Sequence, residues 1–171
     1  MRRSLSPHKN TLPGGFMRTV EQWLSEYGES HQNPLNKRLH WICVPIIVLS
    51  LVGLLWSLPV PDAFQQISPL LNWGTLLLIA GVLYYFTMSW SLALGMALFV
   101  AILISLVAAL DRLPWSLWMI CLSLFVVAWI GQFIGHHYEG KRPSFFKDVQ
   151  FLMIGPLWLL SFIYRKLGIR Y

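Results

Sequence analysis

The chain is organised around residues 131–143, which read GQFIGHHYEGKRP and lie where a long apolar run gives way to charged residues. Two adjacent histidines are followed by a glutamate within one helical turn. Ionisable side chains at the end of a membrane segment are costly to bury and mark functional sites by default. The non-functional interpretation is a polar helix end whose histidines lie at the lipid headgroups. A second pair, His31 and His40, lies close to the start of the first apolar span and favours a functional site.

The composition is that of a membrane protein. Of 171 residues, 56% are hydrophobic and 12% are charged, whereas soluble domains carry about 25% charged residues. The charged residues leave four long uncharged intervals, between residues 38 and 62, 62 and 111, 112 and 139, and 148 and 165. A bilayer core needs about 20 apolar residues per helix, and the second interval holds two such lengths. We therefore predict about four transmembrane helices and a shorter fifth apolar segment.

The chain is expected to contain two regions. Residues 1–16 are basic and polar and show no periodicity, which predicts a disordered leader, so His8 is excluded from the site. Residues 17–171 are expected to form a single membrane-embedded domain. This domain begins with a short amphipathic helix, because Thr19 and Gln22 form a capping-box pattern and apolar residues follow at helical spacing. That apolar stripe consists of Val20, Trp23, Leu24 and Tyr27.

The four spans are expected at about residues 39–58, 70–85, 90–110 and 115–134. The residue before a proline avoids the helical region, so the Asn33-Pro34 pair should end the amphipathic helix and leave His31 at a helix end or turn. Asn36 is then expected to cap the first span. This cap would place His40 in the first turns of that span.

The last apolar segment, residues 149–164, is short and is interrupted by Gly155-Pro156. We expect a re-entrant or interfacial helix there rather than a full crossing. The predicted fold class is therefore all-α. It is an integral membrane bundle of about four transmembrane helices, with an N-terminal amphipathic helix and a short C-terminal re-entrant or interfacial helix.

An even number of spans places both chain termini, and with them both groups of histidines, at the same membrane face. The lysines and arginines concentrate near the N-terminus and after His137, which indicates the cytoplasmic side by the positive-inside rule. That face would belong to the inner membrane of a bacterium or to the endoplasmic reticulum of a eukaryote. The net charge of +6 reflects this distribution. The expected partner is therefore a lipid bilayer, and no nucleic acid is expected to bind.

The histidines suggest a metal site, because imidazole suits iron, zinc, copper and nickel, and open histidine–carboxylate sites are typical of non-haem Fe(II) oxygenases. The candidate ligands are His31, His40, His136, His137 and Glu139. Neighbours on a helix point about 100° apart, so His136 and His137 can bind one metal together only if the helix ends or bends there. Membrane di-iron enzymes carry about eight histidines in HxxxH and HxxHH boxes. This chain has five histidines and neither box, so one metal ion is expected.

Basic residues flank the same face. They are Lys37, Arg38, Lys141 and Arg142. One interpretation is that they set the topology and contact lipid headgroups. The other is that they bind the carboxylate of a substrate at the membrane surface, while its acyl tail lies between the spans.

Two stretches resemble the motifs of the 2-hydroxy-fatty-acid dioxygenases, the family of phytosphingosine-to-odd-chain-fatty-acid metabolism. The first is SHQNPLNK at residues 30–37, followed by His40 and Val44-Pro45. The second is QFIGH at residues 132–136, followed by Glu139 and by KRP at residues 141–143. The resemblance extends over about residues 17–164.

The resemblance implies a multi-pass membrane enzyme that uses Fe(II) and O2 to shorten a 2-hydroxy fatty acid by one carbon, without 2-oxoglutarate. Residues 17–171 would then be a catalytic domain. It implies His31, His40 and His136 as ligands and Glu139 as a further candidate, while the spacing after His136 leaves the roles of His137 and Glu139 open. The competing class is a non-enzymatic lipid-binding or scaffold protein with structural histidines, and zinc-dependent hydrolysis is a third alternative. The sequence does not indicate an oligomeric state.

Overall fold

The computed structural model describes residues 18–143 and 150–171, so the expected leader at residues 1–16 lies outside the described residues. Within these two ranges every element of regular secondary structure is a helix, which confirms the all-α class. The seven helices are α1 (Val20–Glu29), α2 (Pro34–Trp56), α3 (Asp62–Ile67), α4 (Trp73–Met88), α5 (Trp90–Leu110), α6 (Leu117–Glu139) and α7 (Phe151–Leu167).

Helix α1 is the amphipathic helix expected from the sequence. The Thr19 hydroxyl accepts a hydrogen bond from the Gln22 N–H, and the Gln22 side chain accepts one from the Thr19 N–H, so the capping box is confirmed. The four residues of the predicted stripe are the buried ones. Their face packs on α7, where the rings of Trp23 and Phe151 meet edge to face with centroids 5.3 Å apart. Apolar burial therefore fixes α1 on the bundle.

Helix α2 begins earlier than expected, and the prediction that Asn36 caps it is wrong. The cap is Asn33, whose side chain accepts a hydrogen bond from the Leu35 N–H at 2.8 Å. Proline suits the first helical position because its missing N–H would have no helical partner there. The Asn33-Pro34 pair thus starts α2, and Asn36 lies buried in its first turn.

Three of the described helices, α2, α5 and α6, are long and apolar enough to cross a bilayer. Helix α4 is apolar but has only 16 residues. At 1.5 Å per residue it measures about 24 Å, against a hydrocarbon core of about 30 Å. Four expected spans therefore become three clear ones and a short apolar helix. A fourth crossing stays a prediction that requires the bilayer to thin around α4.

Helices α2 and α6 pack closely and run antiparallel. Early in α2, Cys43 faces Gly131 late in α6, and late in α2, Gly53 faces Cys121 early in α6. A Cβ added at Gly131 would lie 2.6 Å from the Cys43 sulfur, so the missing side chain permits this approach. Both thiols are buried and free, and they act as small packing residues. This pairing places the beginning of α2 beside the end of α6.

Helix α7 lies across one end of the bundle. Near its start, the Met153 carbonyl accepts a hydrogen bond from the Tyr85 hydroxyl at 2.8 Å. Near its end, the Tyr164 hydroxyl donates to the Ser91 carbonyl at 2.7 Å. Because Tyr85 and Ser91 flank the turn between α4 and α5, both ends of α7 contact the same end of that hairpin. This placement favours an interfacial helix, which stays a prediction.

Candidate metal centre

Three histidines from separate parts of the chain meet at the end of the bundle where α2 begins and α6 ends. His31 lies in the turn before α2, His40 lies in α2, and His136 lies in α6. The ring centroids are 4.2 Å apart for His31 and His40, 5.0 Å for His31 and His136, and 5.1 Å for His40 and His136. One nitrogen from each ring lies within 4.8 Å of the other two. The structure therefore brings three of the predicted candidate ligands together.

The hydrogen bonds of His31 and His40 fix which nitrogen of each ring carries its proton. Nδ1 of His31 faces the Tyr27 carbonyl, and Nδ1 of His40 lies 2.9 Å from the Asn36 carbonyl. A carbonyl only accepts, so each Nδ1 must carry a proton and donate it. Each neutral ring therefore has a bare Nε2, and these two atoms lie 2.9 Å apart. Two lone pairs so close together repel each other, and a cation bound by both nitrogens would remove that repulsion.

The third ring offers a matching atom. His136 is 4% exposed, and its buried Nδ1 has no hydrogen-bond partner among the described residues. A buried polar atom without a partner is costly, and a metal ion would satisfy it. Two bare Nε2 atoms and this Nδ1 form a donor set that fits iron, zinc or copper. Histidines that bind metals usually donate their other N–H to a carbonyl or carboxylate, as His31 and His40 do here.

The protonation state of His31 suits a ligand. Burial of the ring lowers the pKa of His31 to about 4, although the Tyr27 carbonyl opposes that shift. The ring is fully buried and remains neutral at pH 7. Neutral imidazole is the form that binds metals, so no proton has to be displaced at this pH.

Glu139 lies outside the histidine group and holds the turn that carries His31. One carboxylate oxygen accepts a hydrogen bond from the Gln32 N–H at 2.8 Å. The other accepts from the Asn33 N–H at 2.8 Å and from the Asn36 side-chain amide at 3.0 Å. These three donors occupy both oxygens. The carboxylate therefore joins the end of α6 to the turn between α1 and α2.

His137 is exposed, and its ring contacts the neighbouring Tyr138. Helix α6 continues through Glu139 and ends at Gly140, so no bend brings His137 round beside His136. On a continuous helix the two neighbours point about 100° apart, and His136 takes the inward position. The structure thus brings His31, His40 and His136 together and leaves His137 outside the group.

The four basic residues lie at the same end of the bundle but do not line the cavity beside the histidines. Lys37 is half-buried, while Arg38 and Arg142 are exposed. The Lys141 amine donates to the Glu29 carbonyl at 2.7 Å, which satisfies a backbone group at the end of α1. Lys141 thereby helps to fasten α1 to the end of α6.

A cavity of about 60 Å³ lies beside His40 and His136. Gln132 lines it, is 4% exposed, and has a side-chain NH2 group without a partner among the described residues. Tyr27 also lines the cavity, and its ring stacks on His31 with centroids 4.2 Å apart. Neither residue was predicted from the sequence to be part of the site. The signal was their spacing, since each lies four residues before a histidine, and within α6 this spacing places Gln132 and His136 on the same helical face.

Comparison with known proteins gives a consistent result. A family model described as "2-hydroxy-palmitic acid dioxygenase Mpo1-like" matches residues 17–167. The chain is 31% identical over 147 residues to the "2-hydroxy-palmitic acid dioxygenase MPO1" of Saccharomyces cerevisiae, covering 85% of this chain and 79% of the yeast protein. No solved structure matches the chain. The family match covers both groups of histidines, and the chain belongs to the Mpo1-like family of 2-hydroxy-palmitic acid dioxygenases.

Proposed function

We propose that this protein is an Fe(II)-dependent dioxygenase that shortens 2-hydroxy fatty acids by one carbon. The observation that carries the proposal is the pair of bare Nε2 atoms, of His31 and His40, that face each other beside the unpartnered Nδ1 of His136. The name of the yeast relative supports the substrate class and the use of O2. The apolar helices around the site suit a substrate that partitions into lipid.

The three histidines would hold the metal through Nε2 of His31, Nε2 of His40 and Nδ1 of His136. Bound Fe(II) would supply the one-electron chemistry that allows O2 to react with an organic acid. Zinc fits the same donor set but has no redox chemistry, so a dioxygenase reaction requires a redox-active metal, which we propose is iron. The backbone carbonyls of Tyr27 and Asn36 keep the two Nε2 atoms unprotonated and directed at each other.

The proposed reaction needs no co-substrate other than O2. The bond between C1 and C2 breaks, C2 becomes the carboxyl carbon of the shorter acid, and C1 leaves as CO2 while the remaining atoms form water. C2 loses three electrons and C1 loses one, and one O2 accepts all four. The 2-hydroxyl group is essential to this balance, because the unhydroxylated acid would have to give up six electrons.

The decisive experiment supplies 2-hydroxypalmitate and O2 to the purified, iron-loaded protein in detergent. We expect the fifteen-carbon acid, identified by mass spectrometry, with one O2 consumed per acid formed. Palmitate should give no product, since one O2 cannot balance its oxidation, and 2-oxoglutarate should not change the rate. Iron-loaded protein that converts no 2-hydroxy acid of any chain length would refute the proposal. Hydrolytic activity of the zinc-loaded protein would support the zinc-dependent alternative instead.

We further propose that Gln132 binds the substrate carboxylate through its free NH2 group. Its replacement by leucine, of similar size, should raise KM about 10- to 100-fold, because a hydrogen bond to a charged group contributes about 1.5–3 kcal/mol. The rate constant kcat should change less, since the interaction exists before the reaction begins. Steady-state kinetics of Gln132→Leu checks this expectation.

The four basic residues are proposed to attract the carboxylate to the membrane face before it enters the cavity. Lys37→Ala and Arg38→Ala therefore serve as comparison variants for Gln132→Leu. Each should raise KM by less than about threefold at physiological salt, because screening weakens exposed charges. A larger effect at Lys37 or Arg38 than at Gln132 would place the carboxylate outside the cavity.

The metal centre is proposed to face the cytoplasm. The described basic residues crowd the histidine end of the bundle, while Arg112 lies at the opposite end, between α5 and α6. Positive loops are retained on the cytoplasmic side. Reporter fusions at Ser25 and after Tyr171 should both report the cytoplasm. Reports from opposite sides of the membrane would contradict the even number of crossings, and two external reports would reverse the orientation.

A further inference from the structure

A second cavity begins beside the metal centre. It has a volume of about 260 Å³ and lies among α2, α4, α5, α6 and α7. Its lining is apolar or aromatic, and the Tyr85 hydroxyl in its wall is already bonded to the Met153 carbonyl. Apolar cavities of this kind hold apolar ligands rather than water.

The two cavities are neighbours. Four residues line both of them: Ile47, Val48, Trp129 and Leu152. No more than one layer of side chains therefore separates the space beside His40 and His136 from the apolar cavity. At the far end, the wall includes Val52 and Leu103, which are buried in a separate apolar cluster.

We propose, on the basis of the proposed function, that this second cavity binds the acyl tail of the substrate and that Gly81 of α4 provides room for that tail. The reacting carbons C1 and C2 must lie beside the histidines. The cavity there, of about 60 Å³, is too small to hold a long acyl chain in addition to these carbons. The tail must leave it through an apolar wall, and the four shared residues form such a wall.

A different groove fits less well. It lies between α2, α5 and α7 and shares only Val44 with the histidine cavity. Its outer wall includes Leu98 and Ile102, whose side chains are 66% and 51% exposed. On a membrane helix such residues face bulk lipid, so this groove is suited to surrounding lipids rather than to the substrate.

Gly81 is a favourable position for a test. It lines the second cavity, and a Cβ added there would meet no atom within 4 Å. Glycine is also unfavourable within a helix, so a larger residue should not destabilise α4. Gly81→Leu should therefore fill part of the tail cavity without disturbing the fold. Ala80→Leu is the matched control, because Ala80 is exposed on the same helix and lines neither cavity.

The experiment measures Kd and kcat/KM of the iron-loaded protein for 2-hydroxypalmitate and for 2-hydroxyoctanoate. Gly81→Leu should lower the preference for the longer acid at least about tenfold in both quantities, because each methylene that loses its site costs about fourfold. Ala80→Leu should leave the preference within about twofold of the original protein. The preference is a ratio of the values for the two acids, so a general loss of active protein does not change it.

The outcomes separate this inference from the proposed function. A shift in Kd without turnover of either acid in any variant would support the tail cavity and refute the dioxygenase reaction. Turnover with no change of preference in Gly81→Leu would overturn the tail cavity. A change of preference caused by Ile102→Trp but not by Gly81→Leu would also overturn it and would assign the tail to the outer groove.

Discussion

Replacement of any one of His31, His40 or His136 by alanine should remove the metal and abolish turnover. Apparent binding energies of four-ligand protein metal sites are about 10–16 kcal/mol, or roughly 2.5–4 kcal/mol per ligand, which is about 70- to 900-fold in affinity. Among the described residues each ring is one of three proposed ligands, so its loss removes a larger share of the binding energy. Elemental analysis after gel filtration should find about one iron per chain in the original protein and almost none in these variants.

His137→Ala is the matched control, because it removes the same side chain from the adjacent position of the same helix. Its ring is exposed and outside the histidine group, so iron content and activity should be retained. His8→Ala should likewise have no effect. Each variant must elute as folded protein in detergent for the comparison to hold. Full iron content in all three inward variants would eliminate the proposed site, and loss of iron in His137→Ala would require a different ligand set.

The features that the sequence predicted well depend on local patterns or on whether the number of spans is even or odd. The apolar stripe of α1 follows from helical spacing, and the bounds of α5, Trp90–Leu110, follow from an uncharged run between polar turns. The meeting of the histidines required only that the chain return to the same end of the bundle. None of these inferences needed knowledge of which side chain packs against which.

The start of α2 could not be settled in the same way, because Asn33 and Asn36 are both good caps. Pro34 can mark the end of one helix, because the residue before it avoids the helical region, but it is equally suited to the start of the next. The deciding contacts are tertiary. The Asn36 amide donates to Ser30 and Glu139, which requires that it lie buried within the first turn.

The choice between His136 and His137 was also beyond the sequence. It depends on where α6 ends, and that end is set by Gly140, whose φ of 69° is easily adopted only by glycine. Since α6 continues to Glu139, only one of the two histidines can face inward. The length of α4 is a third example, because an uncharged interval does not indicate where the turns within it fall.

Glu139→Gln should weaken metal binding about 10- to 100-fold without abolishing it, which is the usual effect of losing a group that orients a ligand. The carboxylate now accepts from the backbone N–H groups of Gln32 and Asn33 and from the Asn36 amide. A glutamine replaces one accepting oxygen with an NH2 group that would face another donor. The turn that positions His31 should therefore loosen while all three imidazoles remain.

Metal titration of Glu139→Gln distinguishes a positioning role from direct coordination. If Glu139 positions His31, excess metal should restore full occupancy, and the absorption spectrum of the Co(II)-loaded variant should match that of the original protein. If Glu139 were itself a ligand, occupancy should fail as in the histidine variants, or the spectrum should change with the altered donor set. Glu21→Gln makes the same chemical change at an exposed position of α1 and should leave affinity and spectrum unaltered. The spectrum therefore decides between the two roles, because a weakened affinity alone is compatible with either.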